Sequence, residues 1–153
     1  MFRAMVGAVV FVILLQGGMR VHAGGDTLLD KKDSLKEDDK GYKPGKGTDT
    51  IEVRFADKIF ELITDAKHKV YKLKLKKGDK VVIEMESDDM DSVVVVEDSK
   101  MTVLGLNDDD PDGGGTLNSR LVWTAPADDE YRIIATNLDK KTGDFKLKVS
   151  KAK

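Results

Sequence analysis

The sequence predicts an all-β protein, an antiparallel β-sandwich of about eight or nine short strands. Three observations lead there. Apolar and charged residues alternate with period two in most segments between residues 51 and 150, the repeat of a strand with one buried face. Clusters of Gly, Pro, Asp and Asn interrupt these segments roughly every 8–12 residues. No long stretch carries the 3.6-residue period of an amphipathic helix.

The first 23 residues differ from the rest. Arg3 is positive, Ala4 to Leu15 is an apolar run, and Val21-His-Ala23 places small residues where a signal peptidase reads them. Residues 1–23 are therefore expected to be a signal peptide, and the protein to be secreted or periplasmic. Twelve apolar residues fall short of the roughly 20 that span a bilayer as a helix, so no stable membrane span is expected after cleavage. With no cysteine, a lipid-acylated N-terminus and disulfides are both excluded, and stability has to come from a core, to which a bound ion could add. Cleavage would leave 130 residues, the size of one domain, with 24 basic against 28 acidic residues. Because lysines alternate with acids, no net basic patch forms and nucleic acid is not an expected partner.

Residues 24–49 hold only Leu28, Leu29, Leu35 and Tyr42 as large apolar residues, too few to offset the entropy of ordering. This segment is expected to be a disordered polar tether, with at most a fraying helical turn or two over Leu28 to Asp38. The folded domain is expected over 50–151. Ile51, Val53 and Phe55 alternate with Glu52 and Arg54, predicting a strand, and Ile59 to Ile63 suggests another. Tyr71, Leu73 and Leu75 alternate with lysines up to Lys77-Gly78-Asp79, after which Val81, Ile83 and Met85 resume, which reads as a hairpin with its lysines in water. The β-branched run Val93 to Val96 predicts a strand covered on both faces. Further strands are expected at Met101–Leu106, Leu121–Thr124, Tyr131–Ala135 and Phe145–Val149. Between the first two of these lies Asn107-Asp-Asp-Asp-Pro-Asp-Gly-Gly-Gly115, which has to be an exposed loop because Asp, Gly and Pro are all poor in sheet interiors.

Several weak motifs in this order and spacing resemble the bacterial pre-peptidase C-terminal domain over about residues 51–150. They are Lys77-Gly78-Asp79 before Val81–Met85, Asp89-Met-Asp91 before the valine run, Asn107–Asp110, Ser119-Arg-Leu121 with Thr124–Ala127, and Tyr131 followed by Thr142-Gly-Asp-Phe145. The resemblance implies a small jelly-roll-like sandwich of the kind appended to exported peptidases, some relatives of which bind collagen and calcium. Two departures are visible. Glu130 stands where such domains usually carry glycine before the tyrosine, and no catalytic domain precedes the match, so it reads as a stand-alone copy.

Asp108, Asp110 and Asp112 followed by Gly113 fit the start of a calcium loop, in which alternate carboxylates converge on one ion. Position 12 would be Ser119 rather than a bidentate glutamate, which excludes an EF-hand. The resemblance implies that Asp89 and Asp91 come close enough to complete such a Ca2+ site. A solvated loop whose charges discourage edge-to-edge association accounts for the same residues. Catalysis is not expected: His68 is the one histidine beyond the leader, and no nucleophile–base or zinc motif occurs. Trp123 and Tyr131 read as core more readily than as a platform for a sugar or peptide. Lys72, Lys74, Lys76, Lys146 and Lys148 read as solvated strand faces rather than a polyanion site. The expectation is thus a non-catalytic accessory or binding module for an extracytoplasmic protein or polysaccharide, with a calcium-stabilised domain as the alternative.

Overall fold

The computed structural model describes residues 23–45 and 53–153. Eight strands, β1 (Ala23–Leu35), β2 (Lys69–Leu75), β3 (Lys80–Glu86), β4 (Ser92–Glu97), β5 (Val103–Asn107), β6 (Ser119–Thr124), β7 (Asp129–Asn137) and β8 (Gly143–Ala152), form two antiparallel sheets. One sheet has the order β1-β8-β3-β6 and the other β2-β7-β4-β5. Most connections cross from one sheet to the other, the hallmark of a jelly roll. The β-sandwich of the sequence analysis is thus the observed architecture. No described helix is long and apolar enough to cross a membrane.

The period-two alternation sets which side chains face inward. From the first sheet Val81, Ile83, Met85, Trp123, Phe145, Leu147 and Val149 point into the sandwich, and from the second Val94, Val96, Tyr131, Ile133 and Ala135. The intervening Lys72 and Lys74 lie in solvent, as expected. Trp123 meets Tyr131 edge to face, with ring centroids 4.8 Å apart. Gly105 lets β5 approach that indole, since a Cβ there would lie 3.1 Å from Trp123 Cδ1. The Tyr131 hydroxyl donates to Ala127 O at 2.7 Å, pinning the turn before β7. Glu130, the departure from the family pattern, lies within β7, with its carboxylate 3.2 Å from Lys72 Nζ.

Three expectations are corrected. Tyr71–Leu75 and Val81–Met85 do not form a hairpin: β2 pairs with β7, whereas β3 pairs with β6 and β8. Gly78, at φ 88°, instead turns a corner between the sheets, and its amide bonds Ala125 O across the neighbouring turn. The strand expected at 51–55 and the one at 59–63 are replaced by a single helix, α1 (Val53–Ile63); Ile51 and Glu52 lie outside the described residues. Ile59 and Ile63 are one turn apart and both buried, so the helical period wins over a five-residue alternation. Thr64 Oγ1 then bonds Phe60 O at 2.6 Å and Asp65 takes φ 65°, ending the helix.

The third correction concerns the tether. Residues 23–35 form β1, registered along β8 from Ala23 opposite Ala152 to Leu35 opposite Gly143, and the chain then bends over the second sheet to Tyr42. Irregularities on either side of Thr27 interrupt the alternation, which hides the strand from a periodicity search. Residues 46–49 of the expected tether, and the leader apart from Ala23, lie outside the described residues.

The valine run of β4 is buried on both faces, as its composition predicts. Val94 and Val96 belong to the sandwich core, whereas Val93 and Val95 join Val103 and Ile134 beneath Tyr42, Ile59 and Ile63. The second cover is the β1–β2 connection rather than another sheet.

Candidate functional site

Strand direction places the β1–β2, β3–β4, β5–β6 and β7–β8 connections at one end of the sandwich. Between them the last three carry Asp88, Asp89, Asp91, Asp108, Asp109, Asp110, Asp112 and Asp139, against Lys140 and Lys141. All five residues of the expected calcium site therefore lie at this end. They do not converge on one point: among the described residues no group of three or more His, Cys, Asp or Glu side chains has the arrangement that holds a metal ion.

The acidic loop is built from its two ends inward. Asn107, the last residue of β5, donates from Nδ2 to Asp109 O at 2.8 Å and to Arg120 O at 2.7 Å, and its Oδ1 accepts from the Asp108 amide at 3.0 Å. Such amide bridging at a strand end is an Asx feature, and Asn107 is the organiser that carboxylate spacing alone overlooks. Asp110 is occupied locally, its Oδ1 accepting from the Asp112 amide at 3.0 Å. On the return, the Ser92 hydroxyl donates to Leu117 O at 2.9 Å and Asn118 Oδ1 accepts from the Ser87 amide at 3.0 Å, fastening the loop to the β3–β4 turn.

Asp89 and Asp91, two residues apart, have different neighbours. Asp89 turns toward β8, where its Oδ2 accepts from the Asp144 amide at 3.0 Å, and a Cβ on Gly143 would fall 2.5 Å from Asp89 Cβ. It helps line an open polar cleft of about 800 Å3 with Lys32, Glu86, Asp88, Asn118 and Lys146. Asp91 turns toward the acidic loop. Burial pushes its carboxyl above the ordinary range, and repulsion from Asp139, Asp108 and Asp109 adds to the rise. Asp108 is raised too, by burial first and by Asp109 second. Lys141, 2.8 Å from Asp139, is the cation that partly offsets this charge.

The remaining candidates have structural surroundings. Trp123 is 6% exposed and Tyr131 1%, so neither offers a stacking face. Lys72 and Lys74 on β2 and Lys146 and Lys148 on β8 belong to different sheets, so these lysines do not form one stripe. His68 Nδ1 is 2.8 Å from Lys40 O, and its ring tilts against Tyr42.

The fold so defined has a counterpart among solved structures. The crystal structure of Aeromonas hydrophila PliG, a periplasmic lysozyme inhibitor of g-type lysozyme, is similar with a TM-score of 0.50 and 15% sequence identity, covering 87% of this chain and 92% of that one. At that identity the likeness is one of fold. No protein-family model and no curated protein matches the chain.

Proposed function

We propose that the chain is an exported, non-catalytic β-sandwich that binds a protein through its acidic end. The observation that carries this reading is the segregation of eight aspartates onto three adjacent connections, with only two lysines among them. A surface of one sign steers and orients a partner of the other, so the partner is a basic protein. The apolar leader-like segment supports export. The fold shared with a periplasmic inhibitor supports a protein partner, and makes a basic g-type lysozyme the first to test. The burial of both candidate aromatics favours a protein over a polysaccharide. The two-sheet jelly roll also supports the resemblance to the pre-peptidase C-terminal domain as a proposal of kinship.

The test is binding of residues 24–153 to g-type lysozyme at low and high salt, beside a variant with Asp108, Asp109, Asp110 and Asp112 changed to Asn. Wild type is expected to bind and to lose affinity as salt rises, with the variant weaker by roughly 10–100-fold at low salt. A variant that binds like wild type would move the interface elsewhere on the sandwich. No binding by either would remove lysozyme as the partner.

A second reading, in which Ca2+ rigidifies the loop, is favoured by Asp91 and Asp108, whose carboxyls are raised by burial first and by neighbouring carboxylates second. A carboxyl raised in the folded state gives stability that is complete below its unfolded value and is lost as pH rises through the folded one. Wild type should therefore gain stability as pH falls from 7 toward 4 more than an Asp91→Asn/Asp108→Asn variant does. If the ion binds there, calcium at about 100 times its dissociation constant should stabilise wild type at neutral pH by about 2.7 kcal/mol and leave the variant unchanged. Melting curves that coincide with and without calcium would eliminate the ion.

A further inference from the structure

We propose that the described parts of the β1–β2 connection, residues 36–45 and 53–68, form a cover that opens as a unit of its own, held over the outer face of the second sheet by a polar latch between Tyr42 and Glu97. The apolar contacts divide along that line. One cluster fills the sandwich, and a second joins Tyr42, Ile59 and Ile63 of the connection to Val93, Val95, Val103 and Ile134 of the sheet. Because successive β4 residues face opposite ways, lifting the connection exposes Val93 and Val95 and leaves Val94 and Val96 packed.

The cover is tied together internally. The Tyr42 amide donates to Ala66 O at 2.7 Å and the Asp65 amide to Tyr42 O at 2.8 Å, so the strap through Tyr42 and the end of α1 move together. Its attachments near β2, Lys69 to Asp39 at 2.7 Å and Thr136 Oγ1 to Lys67 O at 2.9 Å, lie at the hinge.

The latch is a charged group removed from water. Tyr42 is 2% exposed and Glu97 1%, and the tyrosine hydroxyl donates to Glu97 Oε1 at 2.6 Å. Arg132 stands opposite Glu97 in register, with Nε 3.3 Å from Glu97 Oε2, yet neither of those two atoms makes a hydrogen bond. Closure therefore buries apolar surface at the expense of a carboxylate and a guanidinium that are incompletely satisfied. Opening rehydrates both charges and exposes the apolar face. These terms oppose one another, and the tyrosine hydrogen bond adds to the closed side.

Hydrogen exchange on the full chain tests this. The amides of Thr64 and Asp65, bonded within the cover, are expected to exchange roughly a hundredfold faster than those of Val95, Ile134 and Leu147. Tyr42→Phe should speed Thr64 and Asp65 by about a further tenfold and leave β3 and β8 unchanged. Lys43→Ala, which removes only an exposed ion pair to Asp65, should leave all these rates near wild type. A single rate for cover and sandwich in wild type would overturn the proposal. So would a Tyr42→Phe protein that unfolds, that exchanges faster everywhere alike, or whose cover is no faster than that of Lys43→Ala.

Discussion

Deleting residues 24–35 is expected to leave a chain that does not fold. Leu35 is 2% exposed, and Leu28 and Leu29 pack partly against the core. Full burial of one leucine and partial burial of two contributes about 4–5 kcal/mol, comparable to the lower end of a domain's total stability of about 5–15 kcal/mol. The deletion also strips β8 of one of its two partners and leaves it as a bare edge. Far-ultraviolet circular dichroism and size-exclusion chromatography should show loss of the sheet signal and aggregation. A truncated chain that melts like the full one would mean that β1 is dispensable.

Trp123→Ala is expected to cost about 3–5 kcal/mol, because the indole fills the space between Tyr131 and the Gly105 backbone and its loss leaves a void there. At roughly 4 °C per kcal/mol for a domain of this size, the melting temperature should fall by about 15 °C. Circular dichroism is the appropriate probe, since the substitution removes the one tryptophan that fluorescence would report. Trp123→Phe keeps the edge-to-face contact and should cost less than half as much. An alanine variant within about 1 kcal/mol of wild type would show that the ring is not part of the core.

The strands that read clearly from the sequence are those whose alternation is uninterrupted and whose inward residues are large. Tyr71–Leu75, Val81–Met85 and Phe145–Val149 all lie on strands with that pattern. Their partners did not read, because period two says which way a side chain points and nothing about which strand lies beside it. A lysine-glycine-aspartate corner between sheets has the composition of a hairpin turn. The strand β1 was hidden because its register shifts break the alternation and its outer positions are charged, as on many edge strands. For α1, five alternating residues gave a strand signal that the longer helical spacing overrides.

The acidic end was legible as an exposed loop and only partly as an arrangement. Sequence spacing grouped Asp108, Asp110 and Asp112, and the family resemblance added Asp89 and Asp91. The folded chain brings Asp139 and Asp108 close enough to add to the rise that burial gives Asp91, and it occupies Asp110 and Asp89 with backbone amides. The Tyr42–Glu97–Arg132 group could not be read at all, because its members lie on three segments that only the tertiary fold brings together.

The pairing of β1 with β8 also governs when the protein can fold. Residues 23–35 close against residues 143–152, so more than a hundred residues intervene between the partners. A ribosome or a translocation pore would have to release nearly the whole chain before the first sheet could be completed. Until then β1 has no neighbour, and β3 lacks the strand that separates it from β1. Topologies dominated by such distant pairings fold in milliseconds to seconds rather than microseconds. Completion of the first sheet therefore waits for β8, the strand that joins β1 to β3.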